Sequence, residues 1–143
     1  MSALSSTTSS TKLLRVLVGD SEEVISDMLG LLIASIVGER QPIEIVSCSS
    51  LDELLTQAGR SQFDICFLSL NNLLANVSSA TERIAKMIGS IPILRAKGVR
   101  YIVTMTHFET PEIPDQARAA GADAFLRLPF TCAEFKASIR RSS

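Results

Sequence analysis

The sequence offers one histidine, three cysteines and no marked excess of either charge among its 143 residues. Each shortage removes a class of chemistry. His107 is the single candidate base for any nucleophilic serine or cysteine, and no cysteine or carboxylate pattern surrounds it as a metal site requires. Cys48, Cys66 and Cys132 are odd in number, lack metal-ligand spacing and lie in apolar surroundings. They read as reduced, buried thiols of a cytoplasmic protein. Fourteen basic residues against fifteen acidic ones leave a net charge of −1, too little field to draw in nucleic acid or an acidic membrane. The apolar stretch 28–38 is eleven residues long, well short of the roughly 20 that span a bilayer. No secretory pattern lines up at the N-terminus. Glycine-rich dinucleotide and nucleotide-phosphate loops are missing, as is the serine elbow of the hydrolases.

What is present is apolar and regularly arranged. Apolar residues make up 46% of the chain, enough at this length for one domain with its own core. Residues 1–11 are almost all Ser, Thr and Ala and bury too little to offset their ordering entropy, so a disordered tail is expected there and a domain over 12–143. Five short, apolar and largely β-branched runs, 13–18, 43–46, 65–68, 101–105 and 124–126, read as strands. The run at 65–68 is apolar on every residue, as a strand covered on both faces must be.

The intervening segments read as helices with start signals. Asp20-Ser21-Glu22-Glu23 opens the first, with Asp20 as N-cap and Val24, Ile25, Met28, Leu29, Leu32 and Ile36 at helical spacing. Ser50 to Glu53, Ser79 to Glu82 and Thr131 to Glu134 repeat the capping signal, and Pro111 marks the start of a helix ending near Gly121. Pro92 is expected to stop the third helix near Gly89. Alternating strands and helices imply an α/β fold: a doubly wound five-stranded parallel sheet with right-handed crossovers and helices on both faces. Chemistry in such sheets gathers at the carboxyl ends of the strands, here at Asp20 and Ser21, Ser69 to Asn72, Thr106 and His107, and Leu128 and Pro129.

Those positions carry a resemblance. Gly121-Ala122-Asp123-Ala124-Phe125-Leu126-Arg127-Leu128-Pro129-Phe130 resembles the G-A-D-x-[YF]-L-x-K-P-F of bacterial response-regulator receiver domains. Val16-Leu17-Val18-Gly19-Asp20-Ser21-Glu22 is similar to their V-L-x-V-D-D-E, and Phe63-Asp64-Ile65-Cys66-Phe67-Leu68-Ser69 to Y-D-x-x-x-x-D. Thr106 precedes Leu128 by 22 residues, the family's spacing between its switch hydroxyl and its lysine. The likeness covers residues 13–140 and implies the flavodoxin-like strand order 2-1-3-4-5.

The same likeness implies phosphorylation of an aspartate beside Mg²⁺, contacted by a lysine, and the sequence departs from that set. Asp20 matches the first carboxylate of the acidic pair, but Ser21 replaces the second. Ser69 stands at the acceptor, Leu128 at the lysine, and the Asn71 carbonyl is the remaining ligand position; Glu22 is a poor substitute. Thr106 matches the switch hydroxyl and Phe125 the switch aromatic. An unactivated hydroxyl is a poor nucleophile, and one carboxylate makes a weak Mg²⁺ site. The implied protein is therefore a stand-alone pseudo-receiver with no catalytic residues, metal or cofactor. It acts in two-component signalling by binding a protein partner, such as a kinase or an output protein. Homodimer contacts are expected through the face formed by helix 4, strand 5 and helix 5 (116–120, 125–130 and 135–140), and a cis peptide at Leu128-Pro129. Small-molecule sensing by the neutral rim of Ser21, Ser69, Thr106 and Leu128, a phospho-receiver with a relocated acceptor, and phosphorylation of Ser69 by a serine kinase are the alternatives.

Overall fold

The computed structural model describes residues 12–38, 41–70, 73–74, 79–107 and 112–139; the expected tail over 1–11 lies outside them. Five strands, β1 (Leu14–Gly19), β2 (Ile43–Cys48), β3 (Ile65–Ser69), β4 (Tyr101–Thr106) and β5 (Ala124–Arg127), alternate with five helices. The helices are α1 (Glu23–Val37), α2 (Leu51–Arg60), α3 (Ala80–Ala96), α4 (Glu112–Ala120) and α5 (Cys132–Ile139). Every strand pairing is parallel, in the order β2-β1-β3-β4-β5. The expected doubly wound architecture is the observed one.

Alternation along the strands divides the core in two. Val16, Val18, Ile65, Phe67, Val103 and Met105 pack with Leu29 and Ile33 of α1 and with Phe135 and Ile139 of α5. Leu17, Cys66, Leu68 and Ile102 face the other way, against α2, α3 and α4. Phe67 stacks on Phe135 with ring centroids 5.7 Å apart, which ties the central strand to the last helix. Among the described residues no helix is long and apolar enough to cross a membrane.

Four local expectations are corrected. First, α3 runs through Pro92 to Ala96. Pro92 is exposed, whereas Ile91 and Leu94 are fully buried, so packing on either side outweighs the hydrogen bond that proline cannot make. Second, α1 begins at Glu23, with Glu22 in the capping position and no side-chain cap. Asp20 instead accepts the Glu22 N–H at 2.9 Å, one turn early. Third, Val24 and Ile36 are exposed and the inner stripe is Ser26, Leu29 and Ile33. A helix apolar nearly all round gives periodicity little power to choose a face. Fourth, Cys132 is exposed on the first turn of α5, although Cys48 and Cys66 are buried. The capping signals at Ser50, Ser79 and Thr131 are all realised, and at α5 reciprocally: Glu134 N–H to Thr131 Oγ1 at 3.1 Å and Thr131 N–H to Glu134 Oε1 at 2.7 Å. Pro111 lies outside the described residues.

One half-buried polar knot joins α3 to the end of the sheet. The Arg95 guanidinium donates to the Gly121 carbonyl at 2.9 and 3.2 Å, to the Arg100 carbonyl at 2.7 Å, and to the Asp123 carboxylate. The same carboxylate oxygen of Asp123 accepts the Ile102 N–H at 2.8 Å. Gly121 has φ +117°, a backbone setting that α4 needs to turn into β5 and that side chains with a Cβ resist.

Two outcomes follow from this packing. Asp123→Ala leaves the Ile102 N–H without this acceptor and takes from Arg95 its carboxylate partner, and is expected to lower the unfolding free energy by about 1–3 kcal/mol in urea titration. Burial pushes the Cys48 thiol up to about 11, with Glu53 adding to the effect, and pushes Cys66 up further still. At neutral pH a thiol reagent is expected to label Cys132 alone in the native protein, with Cys48 and Cys66 reacting only after denaturation.

Candidate functional site

The carboxyl ends of the strands bring most of the sequence-derived positions to one edge. Asp20 follows β1, Ser69 ends β3, Thr106 ends β4, and Leu128 follows β5. Main-chain bonds continue the sheet past its last residues: Asp20 N–H to the Cys48 carbonyl at 3.0 Å, Leu70 N–H to Met105 at 2.9 Å and Leu128 N–H to Thr106 at 2.8 Å. Asn71 lies outside the described residues, and Ser21 is exposed at the margin.

The edge is closed. Ser69 is 1% exposed, Thr106 0%, Asp20 6% and Leu128 7%. Leu128 belongs to the hydrophobic cluster of Met105, Leu126 and Phe135, so the residue after β5 is part of the core. Leu70 and Leu73, just past β3, are both buried in the core on the α2–α4 side, and a methyl group added at Gly19 would meet a Leu73 methyl at 2.9 Å. Their burial was not legible in the sequence, because they fall beyond the strand run and fit no periodic pattern. Phe125 is half-buried against the α2–α4 side of the core. The void bounded by Phe125, Thr104, Pro114 and Ala117 holds only about 10 Å³, room for one water at most. The Leu128-Pro129 peptide is cis and Pro129 is exposed.

The electrostatics of this edge are sparse. Among the described residues Asp20 is its one buried carboxylate, held through Oδ1 by the Glu22 N–H and engaged in further contacts. The Ser69 hydroxyl is buried without a hydrogen-bond partner, a condition that costs roughly 1–3 kcal/mol for a group taken out of water. Among the described residues no base is hydrogen-bonded to it to raise its nucleophilicity. His107 is exposed at the end of β4.

Comparison with solved structures places this arrangement. A response regulator protein from Burkholderia pseudomallei, solved with a phosphorylated aspartic acid, calcium ion and citrate, superposes with a TM-score of 0.64 at 25% identity over 87% of this chain. The present chain spans 65% of that protein's length. The Vibrio cholerae chemotaxis protein CheY4 gives a TM-score of 0.66 at 20% identity, covering 92% of this chain and 99% of its own. The fold is that of response-regulator receiver domains. A response regulator from Thermotoga maritima agrees still better in shape, with a TM-score of 0.71 at 11% identity over 91% of this chain and 97% of the other. No family model matches the sequence, and no curated protein does.

The receiver fold implies a divalent cation, and the donor set here does not fit one. Mg²⁺ requires near-octahedral oxygen ligands, normally including one or two carboxylates together with phosphate and water. Asp20 supplies one carboxylate, Ser21 and Ser69 supply neutral hydroxyls, and Leu128 supplies a hydrocarbon where a receiver holds an ammonium. Among the described residues no group of three His, Cys, Asp or Glu side chains gathers to hold a metal.

Stability measurements probe the closed edge directly. Ser69→Ala removes the orphaned hydroxyl and is expected to raise the unfolding free energy by up to about 1 kcal/mol. Leu128→Lys puts an ammonium among Met105, Leu126 and Phe135, and a loss of about 3 kcal/mol or more is expected. Adding Ser69→Asp to Leu128→Lys is expected to recover about 1 kcal/mol or more beyond additivity, read from a double-mutant cycle.

Proposed function

We propose that this receiver-like domain is a signalling module of the cytoplasm that works by binding a protein partner and does not accept a phosphoryl group. The burial of Ser69 and Leu128 at the positions of acceptor and lysine carries this reading. Phosphoryl transfer is catalysed almost entirely by positioning and by charges that offset the developing phosphoryl oxygens. A hydroxyl without a base, one carboxylate and a leucine supply neither.

The other readings lose support from the same geometry. An uncharged ligand at the rim would need an entrance, and Ser69, Thr106 and Leu128 are covered. A serine kinase would need to reach a side chain that is 1% exposed. Relocated aspartyl phosphorylation would need a second carboxylate beside Asp20, and Glu22 is exposed to solvent beyond the edge. Self-association through α4, β5 and α5 belongs to this proposal as a weak, reversible contact. That face directs Leu126, Leu128 and Phe135 inward and exposes Gln116, Arg118, Arg127 and Lys136, a set more polar than stable dimer interfaces use.

Incubation of the full chain with acetyl phosphate and Mg²⁺ is expected to leave its intact mass unchanged. A phosphoryl adduct released by mild alkali would overturn the proposal.

A further inference from the structure

Among the described residues, the most exposed large apolar side chains lie away from the α4–β5–α5 face. Leu31 is 75% exposed and Val24 66%, both on α1. They stand seven residues apart, two helical turns, and therefore on one stripe. Asp27 and Ala34 flank that stripe at helical spacing. Beside it, α1 and β2 enclose an open groove of about 610 Å³ lined by Ser26, Gly30, Ala34, Ile43 and Ile45. The groove has a fixed floor: the Ser26 and Ser47 hydroxyls are hydrogen-bonded to each other across it, and Gly30 lies so near Ile45 that a methyl group there would meet its δ carbon at 2.8 Å.

Among the described residues of α1 and its capping position, the charge has one sign. Glu22, Glu23 and Asp27 are exposed, and α1 contains no lysine or arginine. On β2, Glu44 is already paired with Arg15 at 2.6 Å. A second copy of this chain brings an α1 with carboxylates and no lysine or arginine of its own to meet them, so self-docking of α1 on α1 lacks a charge complement. We propose that the outer stripe of α1 and its groove against β2 dock a basic amphipathic helix of a partner protein. The partner's apolar side chains enter beside Leu31 and Val24, and its lysines or arginines meet Glu22, Glu23 and Asp27. The proposal rests on the protein-binding reading above and gives it a surface and a partner chemistry.

Two synthetic peptides test it on the full chain. They share one leucine pattern at helical spacing and carry either lysine or glutamate at every polar position. Fluorescence anisotropy is expected to show the lysine peptide binding roughly ten-fold tighter or more, an advantage that shrinks as salt rises. Amide shifts are expected to concentrate in α1 and β2. Leu31→Glu, at a site open to solvent, is expected to weaken binding roughly ten-fold while leaving the thermal midpoint in place. Glu23→Lys with Asp27→Lys is expected to reverse the preference towards the glutamate peptide. Equal affinities, shifts centred on α4, β5 and α5, or unchanged binding by Leu31→Glu would each overturn the assignment. So would a dimer, seen by sedimentation, that Leu31→Glu dissolves. A phosphoryl adduct would strike the parent reading alone, and peptide shifts on another face without an adduct would strike this inference alone.

Discussion

Burial at the carboxyl end of the sheet governs what this domain can do. In a parallel α/β sheet that end is where loops diverge and ligands enter. Here Leu70 and Leu73 are buried just past β3, and Leu128 joins the core just past β5. Among the described residues the edge is closely packed and nearly neutral. An edge of this kind gains apolar burial where a working receiver would hold several charges in water-rich surroundings. On the reading proposed above, the chemistry lost and the packing gained are one change.

On that reading, information passes through surfaces. The molecule is closely balanced in charge overall, yet its first helix carries only carboxylates around exposed leucine and valine. A local field of one sign beside apolar side chains gives direction to an encounter and selects a partner's composition, even when the net field of the protein is negligible.

The fold was readable from the sequence because parallel strands covered on both faces appear as unbroken apolar runs. Each run was read one or more residues short at its end. The residues missed, Gly19, Cys48, Ser69, Thr106 and Arg127, are polar or small and lie on the functional edge. The substitutions at Ser21, Ser69 and Leu128 were legible because motif spacing fixed their places. The burial of Ser69 and Leu128 was not, since it depends on how β3, β4, β5 and α5 pack together, which motif spacing does not report. Pro92 misled for a related reason: local chain chemistry forbids little when a helix is anchored by Ile91, Leu94 and Arg95 beyond the break. The outward stripe of α1 escaped notice because Leu31 and Val24 look like core residues in a helix with too few polar positions to define an inside.

The Arg95 knot has a further consequence for how the domain fluctuates. One guanidinium holds the carbonyls that precede β4 and β5, along with the carboxylate that locks them together. The last third of the chain is thus tethered to α3, and a breathing motion that loosens α4 must also disturb the start of two strands. The knot thus couples α3, the head of β4 and the turn into β5, so a local opening that frees one of them costs contacts in the other two.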